Sequence, residues 1–341
     1  MGHPPTSNPG QRMRDRITKR LFQWGVSFLP DELYLALSHR RKIGRFPNMA
    51  HPSTFNEMIL KRCLNADPRW KALTDKLAVR DYVRDRIGER HLIPLLATPD
   101  VFTQQVFDAL PASFVMKANH GSGFVEVVRD KSKRSFEELN RLANKWLGID
   151  YYRVGRERHY RGIPPRLFFE KLLLDASGRV PADYKMHIFG HGAEGPVIYT
   201  GIISDRFGNA RADVYDARWN RLELAWGKYA RSDHDVPKPS NWDEITGIAA
   251  RLAEGLGYVR VDLYAPGDEI YFGELTFTPG GGTMPYTPDR CDYEWGDLLG
   301  AANYTPCSEQ RSPLKPDDGY PCRALSLHVR NDCNGQLWRA R

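Results

Sequence analysis

The sequence predicts an α+β protein whose first third is mainly helical and whose later part is rich in antiparallel strands. Three observations support this class. Capping boxes and helical spacing of apolar residues mark the first third, two β-rich runs flank a glycine loop near residue 120, and a strand pair with alternating polarity follows residue 257. At 341 residues the chain is long enough for two or three lobes, because single cores stop growing at roughly 250–300 residues.

Helix signals dominate the first third. Thr54 and Glu57 form a capping box, in which each side chain satisfies an amide of the first turn, so a helix is expected to run from there to about Leu64. Apolar residues at near-helical spacing between residues 73 and 87 end at Gly88. This spacing predicts one amphipathic helix that carries Lys76 close to its beginning.

The middle of the chain changes to strand periodicity. Residues 114–119 and 124–128 are β-rich runs joined by the loop 120–123, which predicts a hairpin. Ser135 and Glu138 form a second capping box, and Gly148 closes the helix that it opens. The near-continuous apolar run 167–174 is typical of a buried strand. Further strands are expected at 184–189 and 197–203.

The last predicted elements are a helix over 242–256, closed by glycine, and a hairpin formed by 258–264 and 270–277. Strand side chains alternate between faces, so Arg260 and Asp262 share one face and Glu274 and Thr276 share a face of the partner strand. A turn centred near Asp268 places Asp262 opposite Glu274. Residues 301–341 show no clear period.

Facing carboxylates repel each other unless a positive group lies between them. Mg²⁺ is suited to this position, because it typically takes one or two carboxylates together with substrate phosphates. A surface hairpin with a cross-strand pair between Arg260 and Glu274 is the alternative interpretation.

The glycine loop His120-Gly121-Ser122-Gly123 follows Lys117. Glycines let backbone amides approach phosphate oxygens, and a lysine at the end of the preceding strand adds a positive charge. A plain hairpin turn explains the loop equally simply. For His120 two roles stay open, as a base for an incoming amine or as a residue that only shapes the loop.

Taken in order, these features resemble the ATP-grasp superfamily, in which two α+β lobes clamp ATP. The hairpin Arg260-Val-Asp262 with Glu274-Leu-Thr276, followed by Pro279-Gly280, is similar to the closing motif of the D-alanine ligase branch. The resemblance implies that Asp262 and Glu274 hold Mg²⁺ and that Arg260 stabilises an acyl phosphate or the intermediate that follows. Thr276 stands where that branch has a metal-binding Asn, and its hydroxyl would ligate Mg²⁺ or hold a metal-bound water in that place.

The same resemblance assigns the nucleotide site. ATP phosphates would be bound by Lys76, by Lys117 and by the loop residues Gly121, Ser122 and Gly123. Glu170, Lys171, Leu172 and Leu173 would form the hinge against adenine and ribose, and Asp183 with Lys185 would lie in the cleft. The catalytic roles implied are those of Arg260, Lys117 and Lys185.

Five motifs narrow the resemblance to the TupA-like ATP-grasp family over roughly residues 33–300. They are residues 52–57, 75–80, 117–123, 183–185 and 272–277. This family is associated with cell-surface polysaccharide synthesis, including teichuronopeptide. It implies a basic N-terminal arm (1–50), a largely helical N-terminal lobe (51–110), a small lobe with the glycine hairpin (111–175), a C-terminal lobe with the metal hairpin (176–300) and a tail (301–341).

The function expected from the resemblance is an ATP- and Mg²⁺-dependent ligase that joins a carboxylate, such as that of a uronic acid or amino acid, to an amine. A glycosyltransferase of exopolysaccharide or capsule synthesis is one alternative, and such an enzyme would commonly hold its metal with a short Asp-x-Asp motif. A phosphotransferase with the same ATP clamp is another.

Composition adds limits on location and partners. No apolar run approaches the roughly 20 residues of a membrane span, and the polar start argues against a secretory signal, so a cytoplasmic protein is expected. Five cysteines without paired spacing argue against a disulfide framework or a zinc site.

Charge is concentrated at the N-terminus. Residues 1–50 hold nine Lys/Arg against three Asp/Glu, within a net charge of +7. This arm is either a solvated basic face or an amphipathic segment, Arg14 to Leu29, that touches the inner membrane face or polysaccharide machinery. No nucleic-acid partner is expected, because no aromatic and basic motif accompanies the charge.

Overall fold

Helices and antiparallel strands alternate along the chain, and all described residues belong to one compact unit. The structure, a computed structural model, describes residues 28–192, 195–204, 210–227 and 229–303. Nearly all of the expected amphipathic segment Arg14 to Leu29 and most of the tail after residue 301 lie outside the described residues.

The helices are α1 (Asp31–Ile43), α2 (Phe55–Leu64), α3 (Trp70–Thr74), α4 (Val79–Ile87), α5 (Gln104–Ala109), α6 (Phe136–Leu147), α7 (Tyr152–Gly155), α8 (Trp242–Ala253) and α9 (Arg290–Asn303). In the described part of the chain, none of them is both long and apolar enough to cross a lipid bilayer.

The strands are β1 (Leu95–Ala97), β2 (Phe114–Ala118), β3 (Val125–Val128), β4 (Leu167–Glu170), β5 (Asp183–Gly192), β6 (Gly195–Ser204), β7 (Arg211–Asp216), β8 (Ala225–Trp226), β9 (Tyr258–Tyr264), β10 (Tyr271–Thr276) and β11 (Tyr286–Thr287). A four-stranded sheet has the order β1-β4-β2-β3 and a five-stranded sheet the order β10-β9-β5-β6-β7, while β11 pairs with β8. Neighbouring strands in these sheets are antiparallel. Helices combined with antiparallel sheets confirm the predicted α+β class.

The predicted helix start at Thr54 is confirmed. Thr54 caps the amide of Glu57, whose carboxylate accepts the Thr54 amide, and α2 begins at Phe55. The single helix expected over residues 73–87 is wrong. The chain leaves α3 at Asp75, which has extended geometry and whose carboxylate accepts the amides of Leu77 and Ala78 before α4 begins. Lys76 therefore lies in a turn between two helices.

The glycine hairpin is confirmed as β2 and β3, which pair in register from Phe114 opposite Val128 to Lys117 opposite Val125. Ser135 caps α6 as expected, but the Glu138 carboxylate pairs with Arg134. Two predicted elements are too long: the strand from Leu167 ends at Glu170, and the helix from Trp242 ends at Ala253.

Each face of β9 has its own packing partner. Val259, Val261 and Leu263 belong to a hydrophobic cluster that includes α8 residues, whereas Tyr258 packs with α2 and α9 residues. Helix α9 was not predicted, although Cys291, Trp295 and Leu299 recur at helical spacing and are buried. This packing leaves Arg260 and Asp262 on the face away from α8, where the candidate site lies.

Candidate active site

The register of β9 and β10 places the two predicted metal carboxylates opposite each other. Asp262 pairs with Glu274, and Arg260 pairs with Thr276, with a register shift between Phe272 and Glu274. The juxtaposition predicted from alternation and the turn is therefore confirmed.

Arg260 joins the two carboxylates. Its Nε donates to Asp262 Oδ1 at 2.6 Å, and its Nη2 donates to Asp262 Oδ2 at 2.8 Å and to Glu274 Oε1 at 3.0 Å. Arg260 is only 8% exposed and Asp262 only 2%. The cross-strand pair between Arg260 and Glu274 that the alternative predicted is present, but it does not lie on an exposed surface, because Arg260 and Asp262 are buried and Glu274 is half-buried.

Lys185 on the adjacent strand β5 extends this cluster. Its Nζ lies 2.6 Å from Asp262 Oδ2 and 2.7 Å from Asp183 Oδ2. Burial opposes the charged form of Lys185, but Asp262 and Asp183 outweigh it and raise the pKa of the ammonium. Buried charges of this kind are stable only when they are paired and hydrogen-bonded. The structure thus places the predicted residues Asp183 and Lys185 next to Asp262 on the hairpin of β9 and β10.

Lys76 links this cluster to the glycine loop. Its Nζ donates to the Gly121 carbonyl at 2.9 Å and lies 3.2 Å from Glu274 Oε2. Burial works to raise the pKa of Glu274, but Lys76 and Arg260 hold it well below its usual range. Glu274 is therefore ionised at neutral pH, although its side chain is only 28% exposed.

The glycine loop has a backbone that only glycine tolerates at two places. A Cβ on Gly121 would lie 2.5 Å from the Tyr151 ring, and Gly123 has a φ of +80°. The intervening Ser122 is exposed. His120 is buried, and one ring nitrogen lies 3.1 Å from the Ile149 carbonyl. Its contacts in the structure are those of a residue that shapes the loop.

Lys117 lies on the four-stranded sheet with the predicted hinge. Its Nζ is 2.6 Å from Glu170 Oε2, and Arg80 Nη1 is 3.5 Å from the other oxygen of the same carboxylate. After Glu170, Lys171 is exposed, Leu172 is buried and Leu173 is half-buried. Lys117 is thus grouped with the hinge, while Lys76 is the lysine that touches the glycine loop.

Three residues of the site region were missed in the sequence. Asn119 is fully buried and holds the turn at Asp75, and Arg80 pairs with Glu170. Arg80 lies in the motif 75–80 and Asn119 in the motif 117–123, and their place in these motifs is the signal that could have identified them. Glu157 has no such signal, because it stands between two arginines like an ordinary surface carboxylate.

Glu157 is a buried acid beside the end of β10. It is 9% exposed and accepts a hydrogen bond from the Thr278 hydroxyl, two residues beyond Thr276. Within the described ranges, no ion pair involves Glu157. Burial raises its pKa to about 7, against the opposing effects of Thr278 and Lys42.

The oxygen ligands present on the hairpin suit Mg²⁺ rather than a softer metal. Asp262 and Glu274 supply carboxylates, and the Thr276 hydroxyl lies 3.3 Å from Glu274 Oε1. The described residues contain no group of three or more His, Cys, Asp and Glu side chains arranged to hold a metal. A site with two carboxylates fits Mg²⁺ because this ion usually completes its coordination with phosphates and water.

Taken together, the two antiparallel sheets, the glycine loop and the acidic hairpin define an ATP-grasp protein. The chain belongs to the TupA-like ATPgrasp family, whose sequence model matches residues 57–300. This match confirms the family predicted from the five motifs.

Solved structures with a related fold include two D-alanine–D-alanine ligases and a further ATP-grasp ligase. The ligase from Bacillus anthracis is 16% identical, with 68% of this chain and 66% of that chain covered and a TM-score of 0.41. The ligase from Helicobacter pylori is 14% identical, with 69% and 61% covered and a TM-score of 0.38. The ATP-grasp ligase PsnB, complexed with a minimal precursor, is 15% identical, with 73% and 68% covered and a TM-score of 0.36. Among proteins with curated descriptions, none matches the chain in sequence.

Proposed function

We propose that this protein is an ATP- and Mg²⁺-dependent ligase that activates a carboxylate as an acyl phosphate and transfers the acyl group to an amine. One observation carries the proposal: Asp262 and Glu274 face each other in register, Arg260 bridges them, and Lys76 joins Glu274 to the glycine loop. We assign these neighbouring groups the roles of metal ligands, a cationic stabiliser and a phosphate-binding loop.

The nucleotide side of the cleft is assigned to the four-stranded sheet. Amides of Gly121, Ser122 and Gly123 would bind phosphate oxygens, supported by Lys76 and Lys117. The segment from Glu170 to Leu173 would contact adenine and ribose. The short contact between Lys117 and Glu170 supports this assignment, because it holds a phosphate-binding ammonium next to the hinge.

The metal side is assigned to the hairpin. Asp262, Glu274 and Thr276 would hold Mg²⁺, which when bound neutralises phosphate charge and helps orient the transferred phosphoryl group. Arg260 would stabilise negative charge on the acyl phosphate and on the tetrahedral intermediate, since a preorganised cation costs little reorganisation during the reaction. Lys185 holds Asp262 in place through its 2.6 Å contact and adds a second cation.

The proposed acceptors are an acidic sugar or amino acid and an amine used in making a cell-surface polysaccharide. The sequence resemblance supports this context, because the family that the motifs resemble is associated with such polymers. The net charge of +7 supports encounter with an acidic substrate, although it does not identify one.

A product assay tests the proposal. The purified chain is incubated with ATP, Mg²⁺, a mixture of uronic acids and amino acids, and the products are followed by mass spectrometry. We expect ADP, phosphate and an amide, with all three dependent on the presence of both acceptors. A phosphorylated product that needs no amine would replace the ligase by a phosphotransferase, and sugar transfer in a parallel incubation with a nucleotide sugar would replace it by a glycosyltransferase.

A further inference from the structure

The Lys76 ammonium lies between two groups that serve different parts of the proposed reaction. One contact is to the Gly121 carbonyl at 2.9 Å, in the phosphate loop, and the other is to Glu274 Oε2 at 3.2 Å, on the metal hairpin. The side chain is 17% exposed, so little water screens this charge. Lys76 therefore faces the metal carboxylate as closely as it faces the nucleotide loop.

Backbone contacts hold Lys76 in this place. Its amide donates to the Asn119 carbonyl at 3.3 Å, and the Asn119 side chain donates to Asp75 Oδ2 at 2.9 Å and to the Pro164 carbonyl at 3.1 Å. Asn119 is completely buried. The turn that carries Lys76 is thus attached to the glycine hairpin, and its ammonium is directed across the cleft.

A lysine ammonium and a divalent cation cannot share one carboxylate oxygen without strong repulsion. Mg²⁺ binds carboxylate oxygens at about 2.0–2.1 Å, so an ion on Glu274 Oε2 would lie within a few ångströms of Lys76. Like charges at that distance repel strongly in a site of low dielectric constant. A nucleoside triphosphate removes this repulsion between Lys76 and the metal ion, because its phosphates attract the ammonium more strongly than a single carboxylate does.

We propose that Lys76 is a specificity-determining residue that makes the site select Mg²⁺ together with nucleotide over free Mg²⁺. Its ammonium competes with the metal for Glu274 until phosphate oxygens draw it to the glycine loop side of the cleft. This inference rests on the proposed use of ATP and Mg²⁺, and it adds an order of binding. The metal alone binds weakly, and the binding of nucleotide frees the Glu274 carboxylate for the metal.

The test measures metal and nucleotide binding separately in the full chain, without turnover. Mn²⁺ serves as a paramagnetic probe for the Mg²⁺ site and is titrated by electron paramagnetic resonance, while the non-hydrolysable nucleotide AMP-PNP is titrated by calorimetry. The variants are Lys76→Gln, which removes the charge, and Lys76→Arg, which keeps it. Lys71→Gln is the matched control, because it removes an exposed lysine five residues earlier.

In Lys76→Gln we expect Mn²⁺ without nucleotide to bind about tenfold more tightly and AMP-PNP about tenfold more weakly. Lys76→Arg and Lys71→Gln should keep the weak metal binding of the wild type. Opposite changes in the two affinities separate this role from a structural one, which would weaken both. Circular dichroism and thermal melting confirm that each variant is folded.

Unchanged or weaker Mn²⁺ binding by folded Lys76→Gln would overturn the inference while leaving the ligase proposal intact. Tight Mn²⁺ binding by the wild type without nucleotide would also overturn it. Failure of wild-type protein to bind AMP-PNP with Mg²⁺ would instead remove the proposed function itself, so the two failures are distinguishable.

Discussion

Two groups of charged residues, one at the five-stranded sheet and one at the four-stranded sheet, differ in charge balance. On the five-stranded sheet, the carboxylates Asp183, Asp262 and Glu274 meet the cations Lys76, Lys185 and Arg260. On the four-stranded sheet, the single carboxylate Glu170 meets both Lys117 and Arg80. Among the described residues, the first group is balanced and the second has one cation in excess.

This difference in charge balance matches the chemistry proposed for each group. A balanced set of paired acids and bases can hold carboxylates ionised in a buried site and still provide ligands for a cation. An excess cation next to a hinge is suited to a polyanionic nucleotide. Charge balance, rather than the number of charges, thus distinguishes the group proposed to bind the metal from the group proposed to bind the nucleotide.

The largest loss of unfolding free energy is expected from Arg260→Met, which removes the arginine of the balanced group. Asp262 would keep Lys185 but lose two hydrogen bonds while remaining buried. Breaking a buried pair in this way typically costs about 3–5 kcal/mol of unfolding free energy. Urea unfolding measures the loss. As a control, Arg84→Met removes an exposed pair with Asp81 and should leave the unfolding free energy unchanged. An equal loss of unfolding free energy in both variants would show that burial of the Arg260 pair is unimportant.

Glu274→Gln removes the charge of the most exposed carboxylate in the same group. We expect turnover to fall by at least about a hundredfold while the fold is retained, because a neutral amide keeps the shape but not the metal-binding charge. Product formation under saturating ATP and Mg²⁺ measures this. Glu269→Gln, at an exposed position in the turn of the same hairpin, is the matched control. Full turnover by Glu274→Gln would mean that the site is misplaced.

Glu157 sharpens the comparison, because it is a buried acid without a cation in ion-pair contact among the described residues. Its folded pKa of about 7 lies above its ordinary value of 4.5, so the folded state favours the protonated form. The resulting stabilisation is present below pH 4.5 and is lost as the pH rises to about 7. Over that range the wild type should lose about 3 kcal/mol relative to Glu157→Gln.

Urea unfolding of both proteins at several pH values tests this expectation, and the difference between their unfolding free energies removes contributions that they share. A difference that stays constant between pH 4.5 and 7.5 would mean that Glu157 keeps an ordinary pKa and behaves like the paired carboxylates. Glu254→Gln, at an exposed position, provides a control with little pH dependence of its own.

The smallest effect is expected from Lys117→Met, in the group with excess charge. Glu170 keeps Arg80 at 3.5 Å, so the loss of unfolding free energy should be only about 1–2 kcal/mol, less than for Lys185→Met in the balanced group. The KM for ATP should rise about tenfold with a smaller change in kcat, because a ground-state phosphate contact is lost. A stability loss as large as that of Lys185→Met would remove the distinction between the two groups.

Predictions from local patterns succeeded where one stretch of chain contains all of the information. Alternation on two strands and a turn centred near Asp268 predicted Asp262 opposite Glu274, and the structure reaches this pairing through a register shift between Phe272 and Glu274 that the pattern does not reveal. The capping box at Thr54 located the start of α2 for the same reason. The helix expected over residues 73–87 failed because the Asp75 side chain competes locally with the helical amides, an effect that apolar spacing does not reveal.

The sequence by itself therefore determined the α+β class, the ATP-grasp family and the central acidic hairpin, because each is recognised from short motifs within single stretches of the chain. Only the tertiary structure decided which sheet each lysine serves. Lys76 meets Glu274 from 198 residues away, and Lys117 meets Glu170 from 53 residues away. Such contacts depend on how separate elements pack, and they created both the balanced group at the hairpin and the buried acid at Glu157.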